Sequence, residues 1–567
     1  MKLILNSIKK YNETYIGIIL FIIGFILFSS QRSATPLAGD EPFTVYFAQW
    51  PVAAILNYLM ADSNIPLTYE ILLHYWIKLF STSAADVRLL PVIFSALTIP
   101  ALYIIGIILK DKTTGAAACV LFMLAPIQYE WAHLVRSYSL MMACGAWSVA
   151  AVLLYLRSPK NTYIILWVVL SAMAIAVHYL SALLILLGWC FLMGYSFKHK
   201  EHFRKICIAT IAVLFISSPF IYIIIKRYIV VLEEGTYVQP PASSLPFFQE
   251  VIKMLGTSKF YLLAVAIISI LPLLISILKR QTRDIIFQKI SLFLLTTALI
   301  VFSTISCLSL TDPSYSPSWF SQQIIITLIV LSLFAALIRY QFQPIQVVLL
   351  WFLFPYIFMF LLSFKTPMFI DRYLSFTSPA LYLMIAYALG QLHRQLRAIA
   401  TVSIFSLASL QVILTPERLV RPDVIVNRYR EVRKGTDITI LSPGYTDLPL
   451  TYYYSRSIFN DALAQLTDTV GKKIVVEEGY TLHKEGLRRA LAREKIFVAN
   501  NFQDLQLSLD TIKSVIFLDV YSQFIYPENA IKHNCEQVYG APKTVLDLGN
   551  GIIIYRFERT ELYPNIK

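Results

Sequence analysis

Apolar runs of membrane-spanning length recur along this chain as far as residue 415, and no other feature limits its fold as strongly. A run of about 20 apolar residues crosses a bilayer core as a helix, because every backbone polar group is then bonded inside the segment. Thirteen spans are predicted, at 15–30, 88–109, 114–128, 137–156, 162–177, 179–197, 206–225, 260–278, 290–310, 320–338, 346–363, 374–390 and 398–414. Composition agrees: 57% of the residues are hydrophobic and 14% are charged, too few charges for a soluble protein of this length. The first run follows Lys2, Lys9 and Lys10 and lacks a good small-residue cleavage site, so it reads as an uncleaved signal anchor. Of the six cysteines, five lie in apolar runs and Cys535 stands alone in the tail. That excludes a disulfide framework or a CxxC metal site and leaves all six as small core residues.

The charges orient the spans. With the N-terminus inside, the inner loops hold 18 Lys and Arg against 4 Asp and Glu, whereas the outer segments before residue 416 hold 10 against 11. This is the positive-inside pattern. The net charge of +14 therefore reflects orientation, and a nucleic-acid partner is not expected.

From residue 416 the composition changes to 20 Lys and Arg against 19 Asp and Glu, with no span-length apolar run. Short β-like runs (DITILS, KIVVEE, KIFVAN, SVIFLDV and GIIIYRFER) alternate with helical patterns such as HKEGLRRALARE. The chain thus divides into a polytopic α-helical membrane domain, 1–415, with helices lying at the membrane surface in its first outer loop, and a small α/β domain, 416–567, outside the cytoplasm. No GxGxxG or P-loop opens a helix of the tail, so a nucleotide site is not expected there.

No Asp, Glu, Lys or Arg falls in the middle of a predicted span. Ion-coupled transport draws on ionisable groups or broken helices near the midplane; here the polar groups gather at the outer helix ends. An enzyme acting on a lipid-linked substrate places its site there. The first outer loop, 31–87, opens with Gly39-Asp40-Glu41-Pro42 and continues through two aromatic-rich stretches suited to the interface. Further along, QYEWAHLVRSYSL brings Glu130, His133, Arg136 and Tyr138 to the mouth of a span. His178 and Tyr179 mark a tight outer turn, and FKTPMFIDRYLSFTSP brings Lys365, Asp371, Arg372 and Tyr373 to the last outer mouth. Transfer of a sugar from a polyprenyl-phosphate carrier to an acceptor hydroxyl needs a carboxylate to take the acceptor proton. It also needs cations for the departing phosphate, a role that suits the planar fork of arginine. Asp40 fits the first role; Arg136 and Arg372 fit the second.

The order of these motifs resembles a known family. The acidic pair after the first span, PLTYEILLHYWIKLF followed by DVRLLPVIFSAL, then APIQYEWAHLVRSYSL and HYLSALLILL, is similar to membrane glycosyltransferases of the protein O-mannosyltransferase and lipid A aminoarabinose transferase type, whose fold class is called GT-C. The resemblance covers residues 10–200 and extends to DRYLSFTSPALYL. It implies an active site built on the acidic pair, with Asp40 as base and Glu41 as a positioning group. It implies that Arg136 and the nearby tyrosines face a lipid phosphate, and that the sugar is transferred with inversion. An undecaprenyl-phosphate-linked sugar is then the donor, and a glycan, lipid or protein is the acceptor. Aminoarabinose transferases carry Lys-Pro-Pro-Leu where this chain reads Asn64-Ile65-Pro66-Leu67. The aminoarabinose substrate, and a metal site near that lysine, are therefore not carried over; dependence on a divalent metal stays open and no other cofactor is called for. The lack of Asn-x-Ser/Thr in the predicted outer segments agrees with a bacterial-type inner membrane.

Each of these residues also has a structural reading. Asp before Pro is a common helix start, so Asp40 could serve only as a cap and Glu41 only as a first-turn partner of the helix dipole. Interfacial arginines often anchor helix ends to headgroups. His178 could be a packing residue with a satisfied hydrogen bond. His199 and His202 have metal-like spacing but sit among cytoplasmic lysines, so a solvated loop is expected. A transporter or flippase of lipid-linked glycans is the competing function, and a structural subunit of an envelope assembly machine is another.

Overall fold

The computed structural model describes residues 2–30, 32–33, 35–56, 68–234, 343–363, 369–391, 421–461, 480–500, 505, 509–522, 526, 528–549 and 551–559. Four expected spans, 260–278, 290–310, 320–338 and 398–414, lie outside these residues, as do the KIVVEE run and Lys365. The helices are α1 (Lys2–Ser30), α2 (Glu41–Ala48), α3 (Thr68–Leu79), α4 (Ala84–Leu109), α5 (Lys112–Leu124), α6 (Pro126–His133), α7 (Tyr138–Arg157), α8 (Asn161–Val177), α9 (Ser181–Lys198), α10 (Phe203–Glu234), α11 (Pro344–Leu362) and α12 (Ser378–Gln391). The tail runs α13 (Pro422–Val432), β1 (Ile438–Ser442), α14 (Asp447–Tyr454), α15 (Arg456–Asn460), α16 (Tyr480–Arg493), β2 (Ile496–Val498), β3 (Ser514–Val520), α17 (Ala530–Tyr539), β4 (Thr544–Asp547) and β5 (Ile552–Glu558). Among the described residues seven helices are long and apolar enough to cross a membrane, and α5 and α8 are shorter apolar helices. A polytopic helical part and a small C-terminal sheet are therefore both present.

The chain divides into two compact units. One comprises Met1–Ser30, Ser63–Tyr69 and Arg88–Thr415; the other gathers Gln31–Asp62, Glu70–Val87 and Pro416–Lys567.

In the first unit, small residues let helices approach closely. A Cβ on Gly106 of α4 would lie 2.3 Å from the Cα of Gly115 in α5, so a side chain there would force these neighbours apart. Asp111 caps α5 by accepting from the Thr114 N–H at 2.8 Å. The expected span at 114–128 is interrupted: Ala125 is extended (φ −75°, ψ 125°) because Pro126 follows it, and the chain restarts as the short α6. His133 at the end of α6 does not join the mouth group. Its Nε2 lies 2.7 Å from the Phe28 carbonyl oxygen of α1, so it is a tie between helices. Packing pairs α7 with α8, α9 and the 3-10 segment Asp371–Thr377, while α12 packs on α5 and α11. The Trp351 indole N–H of α11 donates to the Phe376 carbonyl at 2.9 Å and fixes that segment.

The stretch Lys198–His202 departs from a fully solvated loop. His202 Nδ1 lies 3.1 Å from the Tyr155 hydroxyl, and the His199 ring stacks on Tyr195 at 4.3 Å. The aromatic ends of α7 and α9 explain this: they offer ring faces to the two histidines.

In the second unit the sheet has the order β2-β1-β3-β5-β4. β1 runs parallel to β2 and β3, and β5 runs antiparallel to β3 and β4. Alternation sets the two faces. Ile440, Val515, Phe517 and Phe557 pack with Ile531, Cys535 and Tyr539 of α17. Leu441, Ile516, Leu518 and Ile554 pack with Ile425, Val426 and Tyr429 of α13 and Leu450 of α14. Every residue of β3 is buried, as expected for a central strand covered on both sides. Arg556 and Asp437 form a bidentate ion pair at 3.1 and 3.2 Å, both buried.

Candidate active site

The acidic group lies in the second unit. Gly39 adopts the left-handed region (φ +57°), which a residue without Cβ enters at little cost, and this turns the chain into α2. Asp40 is exposed at the N-cap position of α2. Its backbone is helical (φ −77°, ψ −9°), however, and its carboxylate makes no capping hydrogen bond. Glu41 is fully buried, and its Oε2 accepts from the Ala38 N–H at 3.0 Å, closing the turn from the inside. The two adjacent carboxylates are thus separated by environment: one braces the backbone and the other faces outward. Pro42 lies in the first turn of α2, where its missing N–H costs nothing.

Around this turn the unit is tied together. The Leu37 N–H donates to the Tyr453 hydroxyl at 2.5 Å, and the Tyr46 ring meets Phe459 edge-on at 5.7 Å. Burial, with the Asp447 and Asp461 charges nearby, raises the Tyr46 hydroxyl pKa well above its ordinary value. His74 of α3 lies 2.8 Å from the Ala48 carbonyl at the end of α2. Asp86 accepts from the Ser81 and Ser83 hydroxyls at 2.5 and 2.8 Å, and these bonds hold its carboxyl below the usual range.

The cationic group lies in the first unit and draws on three chain turns. Arg136 is half-buried in the turn between α6 and α7, and Tyr138, buried, is the first residue of α7. His178 and Tyr179 form the turn from α8 to α9; Arg372 and Tyr373 belong to the 3-10 segment before α12. The rings converge on His178. Tyr179 stacks on it at 4.9 Å, Tyr373 lies at 5.6 Å, and Tyr138 at 5.9 Å. The Arg372 guanidinium sits 5.8 Å above the Tyr373 ring.

His178 is 1% exposed. Burial first, then the Arg136 and Arg372 charges, push its imidazole down to about 3, so the ring is neutral at physiological pH. Its Nδ1 accepts from the Leu180 N–H at 3.3 Å, which leaves the proton on Nε2. That Nε2–H is buried and has no hydrogen-bond partner among the described residues. A buried donor left unsatisfied costs free energy, on the order of 1–3 kcal/mol, unless a ligand accepts from it. The N-termini of α7 and α9 adjoin the cluster, and their dipole ends are positive. A ring donor, two guanidinium groups, three tyrosines and two helix N-termini suit an anion with several acceptor oxygens.

Of the residues expected at the outer mouths, the fold brings Tyr138, His178, Tyr179 and Tyr373 together with the Arg136 and Arg372 charges. Lys365 lies outside the described residues. The ties through Tyr453 and the other residues of 452–460 were missed; the run Thr451-Tyr452-Tyr453-Tyr454, aromatic within a charged tail, was the available signal. Arg88, fully buried in the first turns of α4, is not among the expected site residues; a charge at the head of an apolar helix is the mark that singles it out.

Residues 64–223 match the family model described as dolichyl-phosphate-mannose-protein mannosyltransferase. That stretch includes Arg136, Tyr138, His178 and Tyr179. No curated protein matches the chain. Among solved structures, the chain is similar to ArnT from Cupriavidus metallidurans bound to undecaprenyl phosphate. Identity is 10%, 95% of this chain and 97% of that chain are covered, and the TM-score is 0.47. It is also similar to the archaeal oligosaccharyltransferase AglB from Archaeoglobus fulgidus in complex with an inhibitory peptide and a dolichol-phosphate. There identity is 11%, the coverage is 97% and 75%, and the TM-score is 0.42.

Proposed function

We propose that this chain, a membrane glycosyltransferase of the GT-C type that uses a polyprenyl-phosphate-linked sugar, binds the lipid phosphate at the His178 cluster and takes the acceptor proton on Asp40. The observation that carries the reading is the buried Nε2–H of His178, held in its donating tautomer within the field of the Arg136 and Arg372 charges. A carrier phosphate gains negative charge as the sugar leaves, so fixed donors and cations lower the barrier most at that moment. The neutral imidazole donates its Nε2–H without carrying charge itself, and the guanidinium groups supply the charge.

The acceptor oxygen attacks the anomeric carbon as the bond to the carrier phosphate oxygen breaks, with inversion at that carbon. The acceptor proton passes to the Asp40 carboxylate, and the electron pair of the broken bond stays on the released lipid phosphate. Glu41 acts as a positioning residue by bracing the turn from inside. Tyr138, Tyr179 and Tyr373 line the phosphate site, and Lys365 is proposed to join them. A helical membrane domain, 1–415, carries this chemistry with its N-terminus cytoplasmic. The protein sits in a bacterial-type inner membrane, with the domain 416–567 on the periplasmic or extracellular side. The acceptor is a hydroxyl or phosphate on a glycan, lipid or protein.

The test is Asp40→Asn in purified protein, with a panel of undecaprenyl-phosphate sugars and an envelope extract, following released undecaprenyl phosphate by mass spectrometry. Asn can occupy the same helix start but is no useful base at neutral pH. Release by wild type, with the folded variant at least about a thousandfold slower, is the expected result. Equal release removes Asp40 from the base role. Movement of a lipid-linked glycan across vesicles without release supports the flippase instead.

A further inference from the structure

We propose that α14 and α15 of the C-terminal domain clamp the acidic turn, with Tyr453 and Arg456 as positioning residues for the transfer reaction. The inference rests on the reading of Asp40 as the base. All the groups concerned belong to one compact unit, and they hold the first outer loop at three places.

Upstream of the turn, the Tyr453 hydroxyl accepts from the Leu37 N–H at 2.5 Å, three residues before Asp40. Beyond it, the Phe459 ring meets Tyr46 at 5.7 Å, and the Gln49 side-chain amide donates to the Phe459 carbonyl at 3.4 Å. At the far end, the Thr82 carbonyl accepts from both the Tyr452 hydroxyl, at 2.9 Å, and the Arg456 guanidinium, at 3.1 Å. Arg456 also donates to the Thr82 hydroxyl oxygen at 2.9 Å, and that hydroxyl donates to the Asn460 side-chain oxygen at 3.1 Å. The Arg456 guanidinium lies 3.8 Å over the Tyr452 ring, which fixes the direction of its fork.

Two of the three holds are on main-chain groups of the loop, so they set the path of the backbone whatever side chains the loop carries. A long loop left to itself samples many paths, whereas a base acts only within a fraction of an ångström of its productive place. The sheet supplies the rigid support: Leu450 of α14 is packed in the core against Ile425, Leu441 and Leu518. On this account the C-terminal domain completes the active site by positioning it and touches no substrate there.

The test uses full-length protein in lipid nanodiscs and two readouts, donor-dependent turnover and hydrogen exchange of the Leu37 amide. Tyr453→Phe removes one hydroxyl and keeps the ring. It should expose the Leu37 amide to exchange and lower kcat roughly ten- to hundredfold, with KM for the lipid donor unchanged. Arg456→Ala should act in the same direction, with partial recovery in Arg456→Lys. Tyr539→Phe is the control, because it removes hydrogen bonds to the Leu509 and Ile512 carbonyls in the same domain and leaves the loop alone. Wild-type kcat in Tyr453→Phe overturns the proposal, as does an equal loss in Tyr539→Phe, which would mark general destabilisation. Full turnover in Asp40→Asn sinks the base reading by itself, while loss of Leu37 protection without loss of kcat sinks the clamp by itself.

Discussion

Two buried polar groups of this molecule, His178 in the membrane unit and Asp437 in the sheet unit, are treated in opposite ways. Asp437 is closed off. Arg556 reaches both its oxygens, the Ser514 hydroxyl donates to Oδ1, and the Lys434 N–H donates to Oδ2 at 2.8 Å. Burial pushes its carboxyl up, but those bonds outweigh it and hold the pKa below the ordinary value. Nothing remains for a ligand to satisfy. His178 has a fixed acceptor side and a donor side that the described residues leave unmet, beside two cations. Saturated burial builds the fold, whereas a buried donor kept in reserve points to a ligand.

The largest expected effect tests the saturated side. Asp437→Ala leaves the buried Arg556 charge with Glu558 as its remaining ion-pair partner, and should cost the sheet domain about 3–5 kcal/mol, read as a lower thermal midpoint. The double variant Asp437→Ala with Arg556→Met should recover much of that loss, which would confirm that stranded charge is the cause. Next comes Arg136→Ala, expected to lower turnover about 10²- to 10³-fold with little change in thermal midpoint; a large drop in midpoint would make Arg136 a structural anchor instead. A smaller effect is expected for His178→Phe, which removes the reserved donor. Turnover should fall by roughly tenfold or more, in line with about 1.5–3 kcal/mol for a hydrogen bond to a charged group, and an unchanged rate would break the comparison.

The gentlest test is pH. The His178 imidazole is held at about 3 in the folded chain against an ordinary 6.5. Between those values the unfolded chain binds a proton that the folded chain refuses, so stability falls as pH drops from 6.5 towards 3. The slope is at most about 1.4 kcal/mol per pH unit. His178→Gln should abolish that slope. Asp437 acts with the same sign in a lower window: its stabilisation is complete above its ordinary value of 3.8 and is lost as pH falls through its depressed folded value. A thermal midpoint that stays flat from pH 6.5 to 4.5 in wild type would contradict the assignment for His178.

How much of this was legible in the sequence depended on the range of the cause. Periodicity is local, so SVIFLDV and KIFVAN read correctly as strands. Pro126 is local too, but hydropathy runs straight across it, and only the restriction on Ala125 reveals two helices in place of one. β4 was missed because its four residues alternate between half-buried and exposed on the sheet edge and depend on pairing with β5 for their definition. The cationic group could be named because each member carries its own signal, a polar residue at an outer helix end. That His178 would be the hub could not be read, since its role comes from three turns meeting. The Leu37–Tyr453 bond spans 416 positions and leaves no local trace at either end.

That same distance sets a clock on biosynthesis. The acidic turn emerges early in translation, and the tyrosine that receives its amide follows 416 residues later. At ordinary elongation rates the interval is roughly 20 to 80 s, during which the spans between them must enter the membrane. On the proposed clamp, a half-made chain has the carboxylate without its support, and turnover should rise roughly ten- to hundredfold once the last segment has folded. Ribosomes that stall before the tail should yield inserted protein of low turnover, a form of quality control that needs no chaperone to enforce it.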